Sequence, residues 1–145
     1  MFDTLRTEIQ AMEPELIRLR RDFHCHPELG LQENRSAGIV AQRLEELGLT
    51  VTTGVGRTGV VGLLDGREPG KALLIRADMD ALPIQEENQT PYRSTVEGVM
   101  HACGHDGHMA ILLGVAETLS RRRDRSPVGS SSSSSRARRV KTGRD

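Results

Sequence analysis

The chain has 145 residues, of which 36% are hydrophobic and only 2% aromatic, so it holds at most one domain of average size with an aliphatic core. Its two cysteines are too few for a disulfide framework, and no charged-then-apolar leader opens the chain. No apolar run approaches the roughly 18 residues that suggest a membrane span, so a cytoplasmic protein without membrane contact is expected.

The net charge of zero is unevenly distributed along the chain. From Arg121 onward there are nine basic and two acidic residues, whereas residues 1–120 carry 11 basic and 18 acidic residues. Six consecutive serines at 130–135 precede a basic, almost wholly polar end, which cannot offset its ordering entropy. We therefore predict a folded part over 1–123 and a disordered tail over 124–145. The tail has no aromatic residues, so nonspecific electrostatic association is favoured over specific nucleic-acid binding.

Two apolar stripes at helical spacing predict two helices at the start of the chain. The first covers residues 5–23 and contains Pro14, which is expected to kink or restart it. The second covers 37–47 and stops at Gly48, a suitable C-terminal cap.

Short aliphatic runs bounded by glycine turns predict three strands, at 49–53, 59–64 and 72–75. A last helix is predicted over 109–120, with an apolar face and basic residues near its end. This order predicts an α/β domain in which helices pack on a mainly parallel sheet.

The largest concentration of potential metal ligands in the chain lies between His101 and His108. These eight residues contain three of the five histidines, one of the two cysteines and an aspartate. Thiolate and imidazole donors suit zinc or a similar divalent metal. Taken alone, the residues are explained about as well without a metal. Cys103 would then be a small buried residue, and His105 or His108 a histidine that caps a helix or lies on the surface.

Helix geometry limits how this cluster can bind a metal. Residues two apart on a helix point to nearly opposite sides, so Cys103 and His105 can share a metal only from an irregular turn. Gly104 and Gly107 permit such a turn just before the last predicted helix, whose positive dipole end stabilises a thiolate.

Two aspartates follow the third predicted strand, at the end where open α/β sheets place their ligands. Asp78 and Asp80 could enter a metal site or accept the second N–H of a ligand imidazole, or they could cap the next turn.

Other titratable residues carry weaker signals. His24 and His26 lie near the end of the first helix beside Pro27 and are interpreted as structural. Glu86 and Glu87 are predicted to form a solvated turn, with a paired-carboxylate role as the alternative.

Three motifs, in this order and spacing, resemble the hippurate hydrolase and N-acyl-L-amino acid amidohydrolase branch of the aminoacylase-type metallopeptidases. They are Asp22-Phe-His-Cys-His-Pro-Glu-Leu29, Ile75-Arg-Ala-Asp-Met-Asp-Ala-Leu-Pro-Ile84 and Met100-His-Ala-Cys-Gly-His-Asp-Gly-His108. The resemblance covers roughly residues 4 to 123, about a third of such an enzyme, and identifies the chain as an N-terminal fragment. Residues 1–123 would then be part of a layered catalytic domain.

The resemblance implies a site with two divalent metals, either zinc, manganese, nickel or cobalt. Cys103 and His105 correspond to metal ligands, Asp80 to a residue that orients a ligand histidine, and Asp78 is an additional candidate ligand. Such metals polarise an amide carbonyl and activate water, which releases an acid and an amino acid from a small N-acyl amino acid.

The chain departs from this family after the last helix. The family's general-base glutamate, the following ligand glutamate, later histidine ligands and a dimerisation domain have no counterparts, since no glutamate follows Glu117. Weak metal binding and little hydrolysis are therefore expected. The alternative is a non-enzymatic remnant with a vestigial metal-binding turn.

The serine-rich tail suggests a frameshift near Ser126. Serine codons can be chosen so that this stretch, read one base earlier, encodes Val-Val-Leu-Leu-Phe-Gln-Pro-Gly-Glu-Glu-Gly, which restores the missing strand and carboxylate pair. Because the codons are chosen to suit, only the nucleotide sequence decides this hypothesis. The sequence leaves open the acyl and amino-acid specificity, the metal, the oligomeric state and whether the fragment folds alone.

Overall fold

The computed structural model describes residues 2–66 and 71–123. Within these ranges the elements are α1 (Phe2–Cys25), α2 (Asn34–Glu46), β1 (Thr50–Val55), β2 (Gly59–Leu63) and α3 (His105–Ser120). The predicted α/β class is confirmed by helices that pack around a small sheet. The predicted disordered tail, 124–145, lies outside the described residues.

Helix α1 is a single helix of 24 residues that runs through Pro14, so the predicted restart does not occur. Its buried positions include Met12, Leu19 and Phe23, which belong to the predicted apolar stripe. The helix packs on α3 at close range, because a Cβ at Gly114 would lie 3.1 Å from both methyl carbons of Leu16. A contact of 2.7 Å between His24 Nδ1 and Asp106 Oδ2 places the C-terminal end of α1 beside the first turn of α3.

Helix α2 ends where the sequence predicts. Gly48 has a φ of +79°, a left-handed conformation that glycine adopts without steric cost. The amide of Leu49 donates to the carbonyl of Leu44 at 3.1 Å, which closes the end of the helix.

The core lies between the three helices and is mainly aliphatic. Its central cluster comprises Leu19, Phe23, Val40, Leu44, Met109, Ala110, Leu113 and Ala116. All of these residues come from helices, and half-buried side chains of the hairpin, such as Val51 and Val60, cover one side of the cluster.

The sheet differs from the mainly parallel arrangement predicted. Strands β1 and β2 form an antiparallel hairpin, with Thr50 opposite Leu63, because only a short turn joins them. The predicted strand 72–75 pairs with no strand among residues 2–66 and 71–123, and Leu74 is 88% exposed. A strand requires a neighbouring strand as well as β propensity, and the sequence pattern reports only the propensity.

The unpaired segment borders an open apolar groove of about 390 Å³. Segment 72–77 forms one wall, and β2 and the outer side of α3 form the others. Within the described residues, no helix is long and apolar enough to cross a membrane.

Candidate metal centre

The turn before α3 carries the candidate ligands. Gly104 has a φ of +79° and caps the helix, so α3 begins at His105, four residues earlier than predicted. The amides of Gly107 and His108 donate to the Gly104 carbonyl at 3.0 and 3.2 Å. Cys103 therefore lies in the turn and His105 is the first residue of the helix, so regular helix geometry does not relate the two donors.

His105 is held by Asp80. Its Nδ1 lies 2.9 Å from the Asp80 carbonyl oxygen and 3.0 Å from Oδ1 of the same residue. Both partners are acceptors, so Nδ1 donates, and in the neutral imidazole Nε2 then carries the lone pair. A neutral imidazole with one nitrogen anchored by a carboxylate is the usual form of a metal-binding histidine.

The loop after α1 fixes the position of Asp80. The amide of Ala81 donates to the carbonyl of Glu28 at 2.8 Å, and Leu29 and Ala81 form an isolated parallel bridge. Gly30 approaches so closely that a Cβ there would lie 3.8 Å from the Asp80 Cβ. Two of the sequence motifs thus meet at this aspartate.

Asp78 is oriented differently. Its Oδ1 accepts hydrogen bonds from Nε and Nη2 of Arg76 at 2.9 and 2.7 Å. The Arg76 hydrogen bond lowers the pKa of this exposed carboxyl, so it is ionised at neutral pH. Asp78 could act as a ligand only in exchange for part of this contact.

The arrangement supplies part of a metal site. Cys103 is exposed and free, and His105 is half-buried, so one sulfur and one nitrogen donor lie on the same accessible turn. In the described residues, no group of three or more His, Cys, Asp or Glu side chains is arranged to hold a metal ion. The donor types therefore fit a divalent metal, whereas the number of donors falls short of the four of a tetrahedral site.

Behind the turn lies a buried polar cluster that the sequence analysis did not predict as a unit. His24 is buried, in agreement with a structural role, whereas His26 is half-buried and its Nδ1 lies 2.8 Å from the carbonyl oxygen of Asp22. The prediction of a solvated turn is wrong for Glu86, whose side chain is only 2% exposed. Burial alone would raise the pKa of Glu86, but hydrogen bonds from the Ser94 amide and His24 hold it below its usual value.

Asp106 is the second member of this cluster, and its side chain has no exposed surface. A sequence signal for it exists, because Asp106 shares the helical spacing of Met109, Ala110 and Leu113, the buried face of α3. An ionisable residue on that face indicates a buried partner.

Comparisons with known proteins agree with the motifs. Residues 74–130 match the sequence profile of Peptidase family M20/M25/M40. YhaA of Bacillus subtilis (strain 168), which its name describes as an amidohydrolase, is 51% identical over 119 residues, 82% of this chain and 30% of that protein. The hippurate hydrolase of Campylobacter jejuni is 48% identical over 112 residues, 77% of this chain and 29% of its own.

A solved structure gives the same result. The Bacillus subtilis YXEP protein, described as a dinuclear metal-binding peptidase from the M20 family, matches with a TM-score of 0.74 and 45% identity, over 79% of this chain and 32% of that one. Over the matched part, the fold is similar to that of this M20 peptidase. The chain belongs to peptidase family M20/M25/M40 and spans about a third of the length of the relatives it matches.

Proposed function

We propose that this chain is part of a metal-dependent amidohydrolase that cleaves the amide bond of N-acyl amino acids, with Cys103 and His105 as metal ligands. The observation that carries the proposal is the double contact of His105 Nδ1 with Asp80, which leaves Nε2 available for a metal. The hippurate hydrolase among the relatives supports the substrate class, because hippurate is an N-acyl amino acid.

Each of the four candidate site residues has a distinct role in this proposal. Cys103 and His105 bind the metal, Asp80 orients His105, and Asp78 is a further donor if it leaves Arg76. Divalent ions such as zinc, manganese, nickel or cobalt, two per site, would supply Lewis-acid activation of the amide carbonyl. No glutamate follows Glu117 in these 145 residues, so we propose that they do not by themselves complete the catalytic site.

The second candidate function is a non-enzymatic remnant with a vestigial metal-binding turn. The observation that favours it is the lack of any three-donor group in the described residues. A two-donor site retains a bound metal poorly, because about half of the four positions of a tetrahedral site remain with water.

Metal binding and hydrolysis are measured together, because only turnover distinguishes an enzyme from the non-enzymatic remnant. The purified 145-residue chain is incubated with hippurate and other N-acyl amino acids in the presence of zinc, manganese, nickel or cobalt. We expect metal binding that Cys103→Ala abolishes, without turnover. Turnover that is lost in Cys103→Ala and retained in His26→Ala, a histidine away from the turn, would instead eliminate the remnant. Absence of metal binding at millimolar metal would contradict the assigned ligands.

The organisation of the chain is also a proposal. We place the catalytic-domain segment at 1–123 and interpret 124–145 as the product of a frameshift near Ser126. The abrupt change of charge and composition supports this. Resequencing the gene tests it, because codons that do not encode the apolar strand and the Glu-Glu pair in the shifted frame would refute it.

The remaining features follow from the family. We propose a small N-acyl amino acid as the partner and a cytoplasmic location. No specific nucleic-acid or membrane partner is proposed.

A further inference from the structure

The first turn of α3 is bound to α1 by a buried ion network. Oδ2 of Asp106 lies 2.7 Å from Nδ1 of His24 and 2.8 Å from Nε of Arg20. Arg20 and His24 are one turn apart on α1, so both reach the same carboxylate oxygen. Two donors from one helix thus hold a single residue at the start of another.

The network continues through the other side of the imidazole. Nε2 of His24 lies 3.2 Å from Oε1 of Glu86, whose second oxygen accepts from the Ser94 amide at 2.6 Å. Each ring nitrogen of His24 therefore has a carboxylate oxygen within hydrogen-bond distance. The histidine therefore joins α1 both to α3 and to the segment around Glu86.

This network adjoins the candidate ligands. Asp106 directly follows His105, and Gly104 accepts the amides of Gly107 and His108 in the same turn. Asp80 holds His105 from the accessible side, while Asp106 holds the backbone of the same turn from the interior.

We propose that Asp106, anchored by Arg20 and His24, is a positioning residue that keeps Cys103 and His105 in their ligand geometry. This inference rests on the metal-binding role proposed above for the two ligands.

The chemistry of the network favours positioning over stabilisation alone. Buried ion pairs are often no more stabilising than apolar side chains of the same volume, because desolvation offsets their attraction. Asp106 Oδ1 has no hydrogen-bond partner in the described residues, so the contacts at Oδ2 do not by themselves offset the desolvation of the whole carboxylate. Because the cluster costs desolvation free energy, its role is to fix the geometry of the turn, which an apolar contact would do less specifically.

Amide hydrogen exchange in the metal-free 145-residue chain provides the direct test. Asp106→Asn keeps the size of the side chain and removes its charge. We expect the amides of Gly107 and His108 to exchange roughly tenfold faster or more, while those of 113–116 in the same helix change little. The matched control is Glu33→Gln, which alters another buried carboxylate, bonded to Thr58 and away from the turn.

Two outcomes of the exchange experiment would overturn the proposal. One is unchanged exchange at Gly107 and His108, and the other is a uniform increase along α3, as expected for general destabilisation. If circular dichroism shows that Asp106→Asn does not fold, Arg20→Met removes one donor from a half-exposed position. It should then give the same local pattern with a smaller amplitude, and uniform exchange in this variant would equally refute the positioning role.

Cobalt titration links the turn to the metal. The thiolate-to-cobalt absorption reports coordination by Cys103, and Cys103→Ser should remove it. Asp106→Asn should weaken cobalt affinity by about 10- to 100-fold, the usual effect of losing a residue that supports a ligand. Equal affinities in Asp106→Asn and the unaltered chain would refute the positioning role. Absence of the band in the unaltered chain would refute the proposed ligands, while the exchange result would still decide whether Asp106 holds the turn.

Discussion

The contact between His105 and Asp80 predicts a measurable imidazole tautomer. Asp80→Ala removes the carboxylate at 3.0 Å but leaves the backbone carbonyl at 2.9 Å, so one of two acceptors for Nδ1–H is lost. The carboxylate is 38% exposed, and the lost hydrogen bond is therefore worth about 1 kcal/mol, the middle of the usual range. We expect the ratio of the Nδ1–H to the Nε2–H tautomer of His105 to fall about fivefold.

Nitrogen-15 chemical shifts of the imidazole measure this ratio. The experiment is run at pH 8, above the ordinary histidine titration, without metal. Asp78→Ala is the matched control, because this neighbouring carboxylate bonds to Arg76. An unaltered chain that favours Nε2–H, or an equal change of the ratio in both variants, would refute the inference that Asp80 sets the tautomer.

Three further predictions concern reactivity, pH and backbone geometry. Cys103 should react with iodoacetamide well before Cys25, because burial and nearby carboxylates raise the pKa of the Cys25 thiol; equal rates would contradict this. The pKa of Glu86 is lowered in the folded protein, so its ionised carboxylate stabilises the fold, and this contribution is lost as the pH falls below about 4.3. Glu86→Gln should therefore make the free energy of unfolding, measured with urea, depend less on pH in this range. In the same assay Gly38→Ala should raise the free energy of unfolding by about 0.5–1 kcal/mol, because alanine favours the helix and its Cβ meets no atom. Gly59→Ala should lower the free energy of unfolding, because its Cβ would clash with the Val55 carbonyl.

The local elements of this fold could be predicted from sequence because their signals are local. Apolar spacing gives α1 and α2, and Gly48 marks the end of α2 by its left-handed conformation. The start of α3 was predicted four residues late because the stretch from 101 to 108 was interpreted as an irregular turn throughout. Gly104 alone provides that turn, and the helix begins immediately after it.

Long-range polar contacts were the part that sequence reasoning could not supply. His24 and Asp106 are 82 positions apart, and His24 and Glu86 are 62 apart. No periodicity relates such residues, so Glu86 resembled a surface turn until the fold placed it against His24. The candidate ligands were predicted from their residue types and the motif, whereas the contact that orients His105 depends on the fold.

The metal-binding turn has most of its polar partners on its interior side but too few metal donors on its accessible side. On the interior side, His24 has partners for both nitrogens, and Oδ2 of Asp106 has two partners, whereas its Oδ1 has none in the described residues. On the accessible side, the described residues give fewer than three clustered metal donors. The turn can therefore be rigid before any metal binds, since its supports come from residues 20–106. Metal affinity would then be limited by the number of donors and not by the cost of ordering the ligands.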